Sequence, residues 1–157
     1  MRIGFGYDVH RFTDDRPLLL GGVEIPHEKG LAGHSDADVL LHAVSDALLG
    51  AAALGDLGAH FPDTEDAWAG ADSLVLLRTV VDRVHGQGLV PHNLDATVLL
   101  ERPKLRPHVD AIRTTVGGAL DLPRERVSVK ATTTEGLGFV GREEGVAAQA
   151  VCTVRAD

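Results

Sequence analysis

The first residues of the chain alternate between apolar side chains and side chains that are small or polar. This alternation is typical of a strand with two different faces, and it predicts a strand over residues 2–10. The apolar face carries Ile3, Phe5, Tyr7 and Val9. The other face carries Gly4, Gly6, Asp8 and His10. A carboxylate and an imidazole therefore share the face that begins with two glycines.

The next segments predict a hairpin, a helix and a long loop. Two short apolar runs flank a glycine pair over residues 18–25, which predicts a hairpin. Ser35 is the predicted cap of a helix from Asp36 to about Gly50, in which apolar residues recur at helical spacing. Over residues 55–71 the periodicity disappears and Gly, Pro, Asp and Thr dominate, which predicts a loop. Loops of this length in compact domains are usually functional or disordered.

The second half of the chain supplies the remaining elements of the predicted fold. Helices are predicted over residues 73–85 and 106–119, and strands over residues 92–100, 126–132 and 146–154. The order predicts an α+β domain, an α/β sandwich of the ferredoxin-like or chorismate-mutase-like kind, with one mixed sheet and helices on one face. The other face of the sheet needs cover, which self-association would supply.

Composition narrows the classes of function. The 157 residues suffice for a single domain, residues 1–157, and the net charge is −8. This charge disfavours nonspecific binding to nucleic acid or to an anionic membrane, and the 4% aromatic content leaves little for stacking on bases. The chain lacks the pattern of a signal peptide and any apolar run of bilayer length, so a cytoplasmic protein is expected. The single cysteine, Cys152, lies in an apolar run and is interpreted as a buried, inert thiol.

Three polar side chains are candidate metal ligands. Asp8 and His10 are either a hydrogen-bonded pair at a strand edge or two ligands of one ion. His42 lies on the predicted helix between Asp38 and Asp46, and it is either a core histidine or the third ligand. Two imidazoles and one carboxylate suit a catalytic Zn²⁺, which leaves its fourth position open. Asp46 is a candidate partner for the second ring nitrogen of His42.

A run of threonines is the candidate phosphate site. Thr132, Thr133 and Thr134 follow a predicted strand and precede Glu135 and a glycine. Hydroxyls and backbone amides suit phosphate oxygens, and Glu135 suits a hard cation that bridges two phosphates. The alternative is a β-branched strand end with a solvated glutamate. His34 precedes the predicted helix, where a phosphate is also favoured.

Four ordered motifs give the chain a resemblance to a known family. They are GFGYDVH at residues 4–10, GHSDADV at 33–39, GDLG at 55–58 with FPDT at 61–64, and KATTTEGLGF at 130–139. Together they resemble the 2-C-methyl-D-erythritol 2,4-cyclodiphosphate synthases of non-mevalonate isoprenoid biosynthesis. The resemblance spans almost the whole chain.

The resemblance implies a homotrimer whose active sites lie between neighbouring subunits. It implies Zn²⁺ on Asp8, His10 and His42, and Mg²⁺ or Mn²⁺ on Glu135 and the substrate phosphates. It assigns His34 and Thr133 to stabilising the transition state. Contacts with the methylerythritol phosphate are expected from Ser35, Asp56, Leu57, Gly58, Phe61, Pro62, Asp63, Thr64 and Glu65. Contacts with cytidine and its diphosphate are expected from Leu100, Glu101, Arg102, Pro103, Lys104, Leu105, Arg106, Ala131, Thr132, Thr133 and Thr134.

The implied reaction is an intramolecular phosphoryl transfer that releases CMP and closes a ring. It needs no protein nucleophile, in agreement with the lack of a convincing Ser or Cys nucleophile in the chain. Phe139, Arg142 and Glu144 match residues that line a central trimer cavity, where an isoprenoid diphosphate can bind. Two other functions stay open: a zinc phosphohydrolase that releases a linear product, and a noncatalytic trimeric protein that binds isoprenoid diphosphates.

Overall fold

The computed structural model describes residues 1–62, 64 and 69–157, which form a five-stranded sheet, a separate hairpin and helices. The strands are β1 (Arg2–Thr13), β2 (Leu18–Leu20), β3 (Val23–Ile25), β4 (Gly30–Leu31), β5 (Leu89–Leu99), β6 (Val127–Thr132) and β7 (Gly145–Ala156). The helices are α1 (Val39–Ala52), α2 (Leu57–His60), α3 (Ser73–His85), α4 (Val109–Ala119) and α5 (Gly138–Gly141). Short 3-10 turns precede α4 and β6.

The sheet is mixed, as predicted. Its strand order is β4-β1-β7-β5-β6, and β2 pairs with β3 in the hairpin. All neighbours are antiparallel except β5 and β6, which are parallel. The sequence did not predict β4, α2 or α5, which have two to four residues each and are too short for periodicity to reveal.

The cap of α1 differs from the prediction. The helix begins after Asp38, whose side chain accepts a hydrogen bond from the Leu41 amide at 3.1 Å, so Asp38 and not Ser35 is the cap. The Asp38 carboxylate is fully buried and also accepts from the amides of Gly21 and Gly22, at 2.9 and 2.7 Å. These contacts tie the hairpin to α1. Asp38 is engaged in these contacts and is not among the grouped candidate metal ligands.

Two glycines let α1 lie directly on β1. A Cβ atom at Gly4 would lie 2.0 Å from the Ala47 carbonyl oxygen, and one at Gly6 would lie 2.0 Å from the Ala43 carbonyl oxygen. No side chain fits between the two backbones at these positions. The close approach places His42, on α1, beside the strand that carries the other candidate ligands.

Gly6→Ala is expected to destabilise the protein by at least about 1–3 kcal/mol, because the added methyl group overlaps the Ala43 carbonyl and must push α1 away. Gly50→Ala on the same helix is the control. Its Cβ would meet only the Phe5 carbonyl oxygen, at 4.0 Å, so a gain of about 0.5–1 kcal/mol is expected there. Urea denaturation at one protein concentration measures both. Equal stabilities for the two variants would contradict this packing.

The sheet face opposite α1 exposes a row of large apolar side chains. The exposed fractions are 70% for Ile3, 61% for Phe5, 48% for Tyr7 and 43% for Val9. Val151, which pairs with Phe5 on the neighbouring strand, extends the row. The prediction of an uncovered apolar face is confirmed for this chain.

The single cysteine lies in the core. Cys152 on β7 is 1% exposed, and burial raises the pKa of its thiol to about 12. The thiolate form needed for reaction is therefore disfavoured, as the interpretation of an inert thiol requires. Within the described residues, no helix combines the length and apolar character needed to cross a bilayer.

Candidate metal centre and active-site cleft

Three donor atoms from β1 and α1 converge on one point. Asp8 Oδ2 lies 3.0 Å from His10 Nε2 and 3.0 Å from His42 Nδ1. The two ring nitrogens are 3.1 Å apart. Asp8 and His10 share a face of β1 because they are two residues apart, and the glycine contact brings His42 to that same face. This group of Asp8, His10 and His42, called the triad below, confirms the predicted convergence.

The triad fits a zinc ion by its chemistry and spacing. Imidazole nitrogen and carboxylate oxygen are common zinc ligands, and two ligands of a tetrahedral ion at its usual bond lengths lie about 3.3 Å apart. The observed separations of 3.0–3.1 Å come close to this value. Three protein ligands leave one tetrahedral position for another molecule, as in catalytic sites. The chain therefore has a potential metal site with an open position.

The electrostatics of the triad favour a cation. Burial raises the pKa of the Asp8 carboxyl, but hydrogen bonds from His10 and His42 and their positive charge outweigh it and lower the pKa to about 2. Burial lowers the pKa of His10, but the hydrogen bond to Asp8 and the charge of that carboxylate raise it overall. The carboxylate stays ionised and draws positive charge into the site.

Hydrogen bonds behind the triad orient the two imidazoles. The Nδ1 atom of His10 is 2.8 Å from the Ala32 carbonyl oxygen, which accepts the Nδ1 proton. Nε2 is therefore the nitrogen that can bind a metal. The Nε2 atom of His42 is 3.0 Å from Ser73 Oγ and 3.1 Å from Ser35 Oγ. The prediction that Asp46 holds this nitrogen is wrong, because Asp46 accepts a hydrogen bond from the Leu57 amide at 2.7 Å.

A cleft of about 570 Å³ opens beside the triad. Besides the triad, it is lined by His34, Ser35, Asp46, Leu57, Gly58, Phe61, Pro62, Thr64 and Leu76. The structure thus gathers most of the residues expected to meet the methylerythritol phosphate. Asp56 caps α2 by accepting from the Ala59 amide at 2.8 Å. Asp63 and Glu65 lie outside the described residues.

An arginine that was not predicted from the sequence packs against Phe61, which lines this cleft. Arg83 on α3 lies over the Phe61 ring, 4.9 Å from its centre, and its guanidinium also contacts His60. The His60 ring donates to the Leu54 carbonyl oxygen at 2.8 Å. An arginine near a helix end gives no sequence signal for such a contact.

The expected nucleotide-binding residues lie at the opposite edge of the sheet. Register places Asp8 beside Ala148, Ala148 beside Val98 and Val98 beside Ala131, which is three strand spacings or about 14 Å. The segment 131–135 follows β6, and the segment 100–106 follows the parallel strand β5. Neither segment lines the cleft of the triad. Within one chain, the predicted site residues therefore form two groups that are separated from each other.

Within the second group, Glu101 organises the threonine turn. Its carboxylate accepts hydrogen bonds from the amides of Thr134 at 2.9 Å and Gly136 at 3.4 Å. Thr133 and Glu135 are exposed and exchange weak hydrogen bonds at 3.3–3.4 Å, and Glu135 has φ of 56°. The carboxylate of Glu135 and the hydroxyl of Thr133 are thus accessible for a ligand.

The remaining predicted residues flank this group. Leu105 is buried, Arg102 pairs with Glu143 at 2.8 Å, and Arg142 pairs with Glu144 at 2.8 Å. Phe139 and Glu144 line a separate cavity of about 500 Å³ beside the end of β1. None of these side chains lines the triad cleft, but His10 of the triad also lines this second cavity.

Comparison with known proteins agrees with the motifs. The YgbB family model matches residues 1–155. A 2-C-methyl-D-erythritol 2,4-cyclodiphosphate synthase of Salinibacter ruber is 75% identical over 155 residues, which is 99% of either chain. A solved structure of such a synthase with CDP bound has a TM-score of 0.90 at 40% identity, and it covers 98% of this chain and 100% of that chain.

A longer protein shares the same fold. The bifunctional IspDF of Campylobacter jejuni has a TM-score of 0.96 at 44% identity, and the match covers 99% of this chain but spans only 42% of that protein. The resemblance predicted from the sequence is confirmed. The chain belongs to the YgbB family, together with these 2-C-methyl-D-erythritol 2,4-cyclodiphosphate synthases.

Proposed function

We propose that this chain converts 4-diphosphocytidyl-2-C-methyl-D-erythritol 2-phosphate to 2-C-methyl-D-erythritol 2,4-cyclodiphosphate and releases CMP. Family membership supports this activity. The observation that carries it is the convergence of Asp8, His10 and His42 beside a cleft large enough for a small phosphorylated molecule. An acidic chain needs such a cation site to bind a polyanionic substrate.

The reaction requires positioning more than protein acid–base chemistry. An oxygen of the 2-phosphate attacks the β-phosphorus of the cytidine diphosphate group, a new P–O bond closes the ring, and the P–O bond to CMP breaks. When bound, Zn²⁺ on the triad and Mg²⁺ or Mn²⁺ on Glu135 would neutralise phosphate charge. Orientation of both phosphates in one site supplies about 7 kcal/mol or more. In this proposal His34 and Thr133 contact the reacting phosphates.

The proposed assembly is a homotrimer in which each active site uses two chains. The exposed row from Ile3 to Val9 provides an apolar surface for self-association. The distance of about 14 Å between the triad and Ala131 supports a shared site, because the nucleotide segments of one chain do not reach its own triad. A neighbouring chain would supply residues 100–106 and 131–135.

Two smaller parts complete the proposal. The protein is cytoplasmic, as the sequence predicts. The cavity beside Phe139 and Glu144, with Arg142 at the surface, becomes part of a central cavity in the trimer and accepts an isoprenoid diphosphate. Arg11 and Lys29 line this cavity and offer positive charge to the diphosphate, and Arg142 pairs with Glu144 beside it.

Incubation of the pure protein with the cytidylated substrate, Zn²⁺ and Mg²⁺ tests the activity. The expected products are CMP and a cyclic diphosphate in equal amounts. Phosphorus NMR detects both products. A linear phosphate product would favour the phosphohydrolase instead. If no turnover occurs and isoprenoid diphosphate binds as well to His42→Ala as to the unchanged protein, the noncatalytic function replaces both.

A further inference from the structure

The side of His42 that faces away from Asp8 and His10 is enclosed by buried serine hydroxyls. Ser73 is 1% exposed and Ser35 is 7% exposed, and both hydroxyl oxygens lie within 3.1 Å of His42 Nε2. Behind Ser73 lies the carboxylate of Asp36. Neither Asp36 nor Ser73 was among the site residues predicted from the sequence.

The hydrogen bonds of Ser73 place a proton on the Nε2 atom of His42. The Ser73 hydroxyl donates its single hydrogen to Asp36 Oδ1, and the Ser73 amide donates to Asp36 Oδ2 at 3.0 Å. A carboxylate accepts and does not donate. The Ser73 oxygen therefore presents a lone pair to His42, so the Nε2 atom of His42 carries a proton. The Nδ1 atom lies 3.0 Å from the Asp8 carboxylate, and it is the nitrogen that a metal on the triad would reach.

Backbone contacts hold Asp36 and Ser73 in place. Asp36 Oδ1 also accepts from the Asp38 amide at 3.2 Å, so backbone amides fix both oxygens of the carboxylate. The Asp36 amide donates to the Ala71 carbonyl oxygen at 3.0 Å, which joins the segment before α1 to the segment before α3. The carboxylate cannot rotate away without loss of these bonds.

We infer that Asp36 and Ser73 are positioning residues that fix the proton of His42 on Nε2 and thereby keep Nδ1 available as a metal ligand. This inference rests on the proposed metal site. Ser35 does not replace Ser73, because its oxygen already accepts from the Ala37 amide at 3.1 Å and its hydrogen can turn toward His42 Nε2. Without Ser73, the Ser35 hydroxyl stabilises the other tautomer, in which Nδ1 is protonated and does not bind metal.

Ser73→Ala tests the inference through metal affinity and tautomer. Zinc dissociation constants are measured by chelator competition on the folded, metal-free protein. We expect binding about 10–100-fold weaker than in the unchanged protein, as for other partners of metal-bound histidines. Nitrogen-15 NMR of the zinc-bound protein is expected to show His42 protonated on Nε2, and this proton is expected to exchange with solvent faster after Ser73→Ala, because its acceptor is lost.

Ser45→Ala is the matched control. Ser45 lies on α1, is also 1% exposed, and takes no part in the hydrogen bonds behind the triad. Its zinc affinity is expected to equal that of the unchanged protein. Circular dichroism and thermal unfolding of the metal-free variants verify that both fold.

The outcomes separate this inference from the proposed metal site. If the unchanged protein and His42→Ala bind zinc equally, the metal site itself is wrong. If His42→Ala loses zinc but Ser73→Ala keeps the zinc affinity and the Nε2 proton exchange of the unchanged protein, the metal site stands and the role of Asp36 and Ser73 is overturned. Zinc-bound protein in which His42 Nε2 carries no proton overturns it as well.

Discussion

Asp8→Ala is expected to lose the bound metal and to slow CMP release by at least about 100-fold. The change removes the one anionic ligand of the triad and leaves two neutral imidazoles, which bind a divalent cation more weakly. Charge stabilisation by a metal contributes several kcal/mol to phosphoryl transfer, and each 1.36 kcal/mol corresponds to a factor of about ten in rate. Atomic absorption gives the metal content, and a coupled assay follows CMP.

Asp15→Ala is the control for this experiment. Asp15 is an exposed carboxylate outside the cleft, so the variant carries the same change in charge. It is expected to keep full metal content and activity. Retention of both by Asp8→Ala would show that the ligands are assigned wrongly.

Phe5→Glu is expected to convert the proposed trimer into monomers and to abolish activity together with assembly. Phe5 is 61% exposed at the centre of the apolar row on the sheet. Burial of a phenylalanine is worth about 1.5–3 kcal/mol, and in a trimer the substitution replaces three of them with charges that must be desolvated. Sedimentation should show a fall from about three times the 16.6 kDa chain mass to one.

Val75→Glu separates this effect from general surface charge. Val75 on α3 is 52% exposed and lies away from the sheet. The variant should remain trimeric and active. A monomeric Phe5→Glu variant with full activity would contradict a site shared between chains, and a trimeric one would contradict the proposed interface.

The sequence predicted the parts of the site that follow from strand geometry. Alternation alone places Asp8 and His10 on one face of the first strand, and the structure shows that α1 packs on this face. Helical spacing placed His42 on that helix. These local rules required no knowledge of long-range contacts.

Contacts between residues far apart in the sequence determine the helix cap, the partners of His42 and the separation of the two groups of site residues. The run from Ser35 to Asp38 contains three residues that can cap a helix, and the contact with the hairpin selects Asp38. Asp46 lies one turn from His42, but its carboxylate accepts from Leu57 in the following segment. Ser73 lies 31 residues beyond His42, so its hydroxyl contact has no local pattern. The separation between the triad and residues 131–135 follows from strand order, which periodicity does not specify.

The glycine contact between β1 and α1 sets the shortest distance that the helix and the strand of the candidate metal centre can reach. Glycine is the smallest residue, so no substitution at Gly4 or Gly6 can shorten the distance between this helix and this strand, whereas every other residue lengthens it. Mutation at these two positions can therefore only increase the distance between His42 on α1 and the ligands on β1. Widening would shift preference from small ions with short bonds toward larger ions with longer ones, so these two glycines limit ionic radius without touching the ion.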